Sequence, residues 1–185
     1  MAYKAYAGLG NEDATDDVLL QMGSIAKWLD DKGFTLRTQA IKNVSDAFEK
    51  YATKLERYLP WDHFNEKTSK EHHKVSEEAI DLATKIFPKL REQGKAVPKI
   101  MGCYSHILLG ENLRDYVKFV IIWTPDGAEL PNQINFKTTG RSSHVIRLAA
   151  MAKIPLFNLH KQDAEERIKN YVNGLEDEPE LEINF

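Results

Sequence analysis

The sequence predicts a three-layer α/β domain on a central parallel sheet, and three observations predict it. Apolar residues recur alternately at strand and helix spacing over residues 1–160. The run Val117–Trp123 is rich in β-branched and aromatic residues and apolar at nearly consecutive positions, as expected of a central strand covered on both faces. The strands are separated by helix-length segments, the alternation of a doubly wound sheet. At 185 residues, 42% hydrophobic and 29% charged, one core is expected rather than two.

Tyr3–Leu9 is a run of small and apolar residues with Gly8 and Gly10 at its end, a first strand entering a turn. Thr15 is placed to cap a helix with Asp16 and Asp17 in its first turn, and Val18, Met22, Ile25, Ala26 and Leu29 form its apolar stripe before Gly33. Phe34–Thr38 reads as the second strand, Ser45–Leu55 as the second helix and Arg57–Trp61 as a short third strand. Asn65–Lys74 is polar and loop-like. Val75, Ala79, Leu82, Ala83 and Ile86 then repeat at helical spacing up to Pro88. Pro98 suits the first turn of a further helix carrying Ile100, Cys103, Tyr104, Ile107 and Leu108, which Gly110 ends. Beyond the central strand, Thr124–Thr139 is a polar connection long enough to be functional. Val145, Ile146, Leu148, Ala149 and Ala152 build a helix, and Ile154–Leu159 closes the sheet. Ala164, Ile168, Tyr171, Val172 and Leu175 form a last amphipathic helix that either packs back or binds a partner. The expected organisation is a domain over 1–160, a helix over 161–175 and an acidic, disordered tail over 176–185.

No apolar run approaches the eighteen or so residues of a membrane span, and Met1–Gly10 lacks the basic and apolar regions of a signal peptide, so a cytoplasmic protein is expected. Cys103 is the single cysteine, which excludes an internal disulfide and gives zinc a poor start; no metal or cofactor is expected. The net charge of −3 is uneven. The last ten residues hold five acids and no base, leaving 25 bases against 23 acids over the rest, a balance of +2 that is compatible with nucleic-acid contact.

The ordered phrases Ala7-Gly8-Leu9-Gly10, Lys32-Gly33-Phe34-Thr35-Leu36-Arg37, Asp46-Ala47-Phe48-Glu49, Tyr58-Leu59-Pro60-Trp61, Leu109-Gly110, Ile122-Trp123-Thr124-Pro125-Asp126-Gly127 and Ile154-Pro155-Leu156-Phe157-Asn158-Leu159 resemble the Rossmann-like SLOG superfamily. The closest similarity is to the single-domain DprA-like proteins often found in phages. The ligand stations depart from the family pattern. Gly10-Asn11-Glu12 stands where the family has Gly-Ser-Arg, Thr38–Asp46 replaces its glycine-rich cradle, Cys103-Tyr104 its Arg-Asn, and Gly140-Arg141-Ser142-Ser143 its Gly-Gly-Thr-Gly loop. Members that hydrolyse nucleotide N-glycosidic bonds carry a Glu where this chain has Arg147, so the resemblance implies no such enzyme.

What replaces those stations is basic. Arg37, Lys42, Lys137, Arg141 and Arg147, with Asn43, Thr138, Gly140 and Ser142, fall near the carboxyl edge of the predicted sheet, where a nucleotide pocket could become a track for a polyanionic backbone. Trp61 and Phe64 are candidates either to stack on bases or to pack the loop. His144 follows two serines, but no Asp is placed to orient it, and a polar helix start capped by Ser142 or Ser143 is the simpler reading. The tail is similar to the acidic termini of bacterial and phage single-stranded DNA-binding proteins; Ile183 and Phe185 would contact a replication, recombination or transcription protein. The expectation is a non-enzymatic phage accessory protein that binds single-stranded DNA and recruits a polymerase or recombinase, with a homodimer left open. A binder of a nucleotide derivative such as ADP-ribose, and a host-protein antagonist keeping only the fold, are the alternatives.

Overall fold

In the computed structural model, which describes residues 3–177, five strands run parallel in one sheet of order β3-β2-β1-β4-β5. They are β1 (Ala5–Gly8), β2 (Thr35–Thr38), β3 (Leu55–Arg57), β4 (Val120–Ile122) and β5 (Leu156–Asn158). Parallel neighbours need long crossovers, and helices supply them. α1 (Asp16–Asp31) joins β1 to β2, and α2 (Val44–Glu49) joins β2 to β3. α3 (Glu77–Ile86) and α4 (Ala96–Leu109) lead to β4, and α5 (Phe136–Thr139) and α6 (Ser142–Met151) lead to β5. α7 (Ala164–Asp177) follows β5. α1 and α2 pack together, and α7 joins them through Gln21 Nε2 on Glu165 at 3.2 Å and the Lys32–Glu176 ion pair at 2.9 Å; α3, α4 and α6 pack together on the other face. This is a three-layer α/β architecture.

The layer under α1, α2 and α7 is aromatic. Tyr6, Phe34, Phe48, Phe119, Phe157 and Tyr171 meet at centroid separations of 5.7–6.4 Å, mostly edge to face. Gly8 permits this approach, because a Cβ there would lie 2.8 Å from Phe48 Cγ and 2.9 Å from Leu36 Cδ1.

Four expectations shift. Val117–Trp123 does contribute an interior strand, but β4 lies between β1 and β5, and the middle position belongs to β1, whose small residues are buried throughout. The second helix stops at Glu49 rather than Leu55, because the Thr53 backbone N–H and hydroxyl donate to Asp30 Oδ1 at 2.8 and 2.9 Å and turn the chain back toward the sheet. The third strand starts earlier than Arg57: Leu55, Glu56 and Arg57 pair with Leu36, Arg37 and Thr38, and by Leu59 the backbone N–H already donates to His72 O at 2.7 Å. Thr15 occupies the cap position of α1 without a capping hydrogen bond from its side chain. The last helix packs back, burying Ala164, Ile168 and Val172 in the main core.

Candidate functional site

The chain leaves β1 toward one helical layer and β4 toward the other, and the loops separate at their carboxyl ends, the place where open α/β sheets hold ligands. A cleft of about 230 Å³ lies there. Its walls are Gly10–Glu12 after β1, Gln39–Ile41 after β2, Phe64 and Asn65 after β3, Tyr104 of α4, and Gly140–Ser142 where α6 begins.

Asn11 organises the rim. Its backbone N–H donates to Trp123 O at 3.0 Å, its Nδ2 donates to Thr138 O at 3.1 Å, and its Oδ1 accepts from the Ser142 hydroxyl at 2.6 Å. Ser142 is therefore committed to the neighbouring loop and does not cap α6. Gly140 sits at φ 59°, a left-handed conformation that L side chains adopt only with strain. The β2 loop is braced by side chains instead of glycines. Ser45 Oγ donates to Gln39 O at 2.5 Å and accepts from the Ile41 N–H at 2.8 Å, Gln39 Nε2 donates to Ile100 O at 3.3 Å, and Asn65 Nδ2 donates to Ala40 O at 2.7 Å.

Behind the rim, Asp126 accepts from the hydroxyls of Thr124 and Thr138 at 2.7 Å each, from Thr139 at 2.5 Å and from the Ala128 N–H at 3.2 Å. Partial burial alone would raise its carboxyl, but these four donors, Thr139 foremost, outweigh it and hold the pKa near about 2. A depressed folded pKa adds stability above the ordinary carboxyl value, and that stability is lost as the pH falls from about 4 to about 2. Because water screens this exposed group, roughly 1 kcal/mol is expected rather than the full linkage value. Urea titrations at pH 5 and pH 2.5 should find the Asp126→Asn variant losing less stability over that interval than the parent; equal losses would remove Asp126 from the rim's support.

Two further clefts run into the first. One shares Gly140 and Arg141 with it, is about 200 Å³, and is walled by Ile86, Phe87, Met101, Phe136, His144 and Arg147. The other shares Glu12, Ala40, Ile41 and Asn65 and holds Lys42, Asn43, Asp46, Glu66 and Lys67. Lys67 is bonded to Asp46 and Glu49, so Lys42 is the cation in that cleft without a carboxylate partner among the described residues.

The predicted residues divide. Lys42, Asn43, Lys137, Thr138 and Arg141 are exposed around the edge, with Gly140 and Ser142 in the first cleft and Arg147 in the second. Arg37 is not with them. It is 2% exposed and its guanidinium is spent on Glu56 Oε2 at 2.7 Å, Asp115 O at 2.6 Å, Asp115 Oδ2 at 2.7 Å and Tyr3 OH at 3.0 Å, so a phosphate role is corrected to a structural one. Phe64 takes the packing alternative: at 8% exposure it packs with Ala40, Leu59 and Ile100, and its ring lies edge to face with Trp61 at 5.0 Å. Trp61 is the exposed member of that pair and lines none of the three clefts. Ile183 and Phe185 lie outside the described residues. Glu176, near the end of the described residues, pairs with Lys32, where α1 delivers the chain to the amino end of β2.

Asn11, Gln39, Asn65 and Tyr104 belong to the cleft and were not among the predicted residues. A polar residue directly after each predicted strand end was the available signal for Asn11 and Gln39; nothing local marks Asn65 or Tyr104. Cys103 is buried, its Sγ donates to Tyr58 O at 3.1 Å, and burial pushes the thiol up to about 12. His144 is 5% exposed and held down at about 4, first by burial and then by Arg147, so it is neutral at physiological pH. Among the described residues there is no cluster of three or more His, Cys, Asp or Glu side chains able to hold a metal, and no helix long and apolar enough to cross a membrane.

The order of five parallel strands and the crevice beside β1 are compatible with a Rossmann-like domain. No protein-family model, no curated protein and no solved structure matches the chain.

Proposed function

We propose that this chain is a binding protein for a nucleotide-like small molecule, its phosphate at the start of α6 and its remainder in the adjoining clefts. One observation carries the reading: the cleft at the sheet's reversal point joins polar donors and Arg141, which has no carboxylate partner among the described residues, to a recess walled by Phe87, Phe136 and Met101. The α6 N-terminus and Arg141 favour an anion, while the recess favours an apolar ring. Gly8, Gly10 and Gly140, which follow predicted strands in the SLOG-like reading, support the same assignment, and Arg147 at the family's glutamate position supports binding without N-glycosidic hydrolysis.

Single-stranded DNA is the second reading. It is favoured by Lys42, Lys137, Arg141 and Arg147, none of which has a carboxylate within 4 Å among the described residues, along one edge. The DprA-like, phage-type accessory role with a recruited polymerase or recombinase belongs to this reading. Glu12, Asp46 and Glu66 in the same groove weigh against a polyanion track, as does the loss of Arg37 to the core.

A thermal-shift series with ADP-ribose and AMP tests the first reading. At a hundred times the dissociation constant, stabilisation of about 2.7 kcal/mol is expected, which corresponds to roughly 5–10 °C for a chain of this size. Arg141→Ala should abolish most of that shift without changing the unliganded melting temperature. No shift with either nucleotide at millimolar concentration, beside oligonucleotide binding that weakens steeply with salt, would transfer the assignment to DNA.

A further inference from the structure

Five buried side-chain nitrogen or oxygen atoms among the described residues make no hydrogen bond: Tyr6 OH, His72 Nδ1, His144 Nε2, Arg147 Nε and Arg167 Nε. His72 Nδ1 and Arg167 Nε still have carboxylate oxygens at 3.8 and 3.2 Å. His144 and Arg147 have none, and they stand three residues apart on α6, in the wall of the same 200 Å³ recess. Buried polar atoms left unpaired are costly, so two in one wall point to a group that pairs with them when it enters.

The rest of the wall restricts what that group can be. Ile86, Phe87, Met101 and Phe136 are apolar, and both phenylalanines are exposed although large aromatic side chains are usually covered. Arg147 lies over the Phe136 ring at 5.2 Å, so a cation is already stacked there and a second would be repelled. An aliphatic group would leave both nitrogens unpaired. A bare anion would lose its water against four apolar side chains and a neutral imidazole. A planar heteroaromatic ring meets each demand, with π faces for the phenylalanines, a ring-edge acceptor for the Arg147 Nε–H, and edge groups that suit either tautomer of His144.

We infer that this recess is the seat of a nucleobase, lying against Phe136 and Phe87 with its polar edge toward His144 and Arg147. The inference rests on the nucleotide reading above and adds which part of the ligand goes where. Since the recess shares Gly140 and Arg141 with the cleft at the start of α6, one ligand can span both. Neither His144 Nε2 nor Arg147 Nε is accessible to water, so entry of the ring is accompanied by a small rotation of the imidazole and a shift of the guanidinium over Phe136.

Calorimetric titration of the full chain with ADP-ribose, with adenosine, guanosine, cytidine and uridine, and with ribose 5-phosphate tests this. At least one nucleoside should bind. Phe136→Ala, at an exposed position that folding tolerates, and His144→Phe, which keeps the ring but removes the nitrogens, should each weaken that nucleoside and ADP-ribose about tenfold or more while leaving ribose 5-phosphate unchanged. His144→Gln should recover part of the loss. Arg141→Ala should weaken ribose 5-phosphate and ADP-ribose and leave the nucleoside unchanged. Binding of ribose 5-phosphate with no nucleoside bound would overturn the nucleobase seat and leave the nucleotide reading standing. A nucleoside bound through Phe136 and His144, with neither ADP-ribose nor ribose 5-phosphate bound, would support the seat and sink the nucleotide reading. If cyclohexanol binds the recess as well as the best nucleoside does, the slot is merely apolar and the inference is wrong.

Discussion

Replacing Arg37 by Ala should destabilise the protein by about 3 kcal/mol, at the lower end for a buried ion pair that loses one partner. The guanidinium makes four hydrogen bonds from a nearly solvent-free position on β2, joining β3 through Glu56 to the loop before β4 through Asp115. Tyr58 OH also donates to Glu56 Oε2 at 3.1 Å, and Tyr3 OH donates to the same carboxylate, so without Arg37 a half-buried anion keeps only two phenols. The Asp115 carbonyl loses its donor as well. For a chain of this length the loss corresponds to roughly 6–12 °C in melting temperature. Burial alone would raise the Glu56 carboxyl, yet bonds from Tyr3 and the charge of Arg37 bring it below its ordinary value. A lowered folded pKa gives stability present above the ordinary value and lost as the pH falls beneath it. In the Arg37→Ala protein burial regains the upper hand, protonation of Glu56 becomes favourable, and the gap between variant and parent should narrow below pH 4. A gap that stays constant from pH 7 to pH 3 would mean that Glu56 is not the group left stranded. Arg37→Met with Glu56→Leu should regain most of the stability, since apolar groups of similar volume leave nothing buried and charged.

The same residue explains where the sequence could be read and where it could not. Local period sufficed for the stripe Val18, Met22, Ile25, Leu29 that builds α1, and for the apolar run that becomes β4, because each depends on neighbours a few residues away. Arg37 looked like an edge cation because its partners lie 19 and 78 residues along the chain. Phe64 looked exposed in a polar loop, but Asn65 reaches back 25 residues to the Ala40 carbonyl, and Leu59 bonds to His72, closing that loop over the ring. The early end of α2 depends on Asp30, at the end of α1, capturing Thr53, a competition that propensity does not register. For the site, glycines after strands marked the right edge of the sheet, while Tyr104 and His144 became members only once α4 and α6 were placed side by side.

That placement has its own weak point at Gly102, and enlarging it to Leu should cost about 2–3 kcal/mol through overpacking. α3 and α4 make the most extensive helix–helix contact among the described residues, and a Cβ at Gly102 would lie 2.8 Å from Val75 Cγ1, 2.9 Å from Ile80 Cγ1 and 3.3 Å from the Ile80 backbone nitrogen. Two opposing effects act on any substitution here. Replacing glycine in a helix interior favours the helix by about 1 kcal/mol, and the collision opposes it. With Ala the Cβ already meets Val75 Cγ1, Ile80 Cγ1 and the Ile80 nitrogen, so the neighbours must move and the gain in helix propensity is offset in full, leaving a cost of about 1 kcal/mol. With Leu three further carbons must find room beyond that Cβ, and the side chain must displace the start of α3. Because α4 also carries Met101 into the recess and Tyr104 into the central cleft, the displacement should reach the ligand as well as the fold. Urea unfolding should therefore rank the parent first, Gly102→Ala below it and Gly102→Leu lowest, with ADP-ribose affinity falling in the Leu variant at temperatures where it remains folded. Leu tolerated at parental stability would mean that α3 is free to move away from α4, and neither cleft would then be a preformed site.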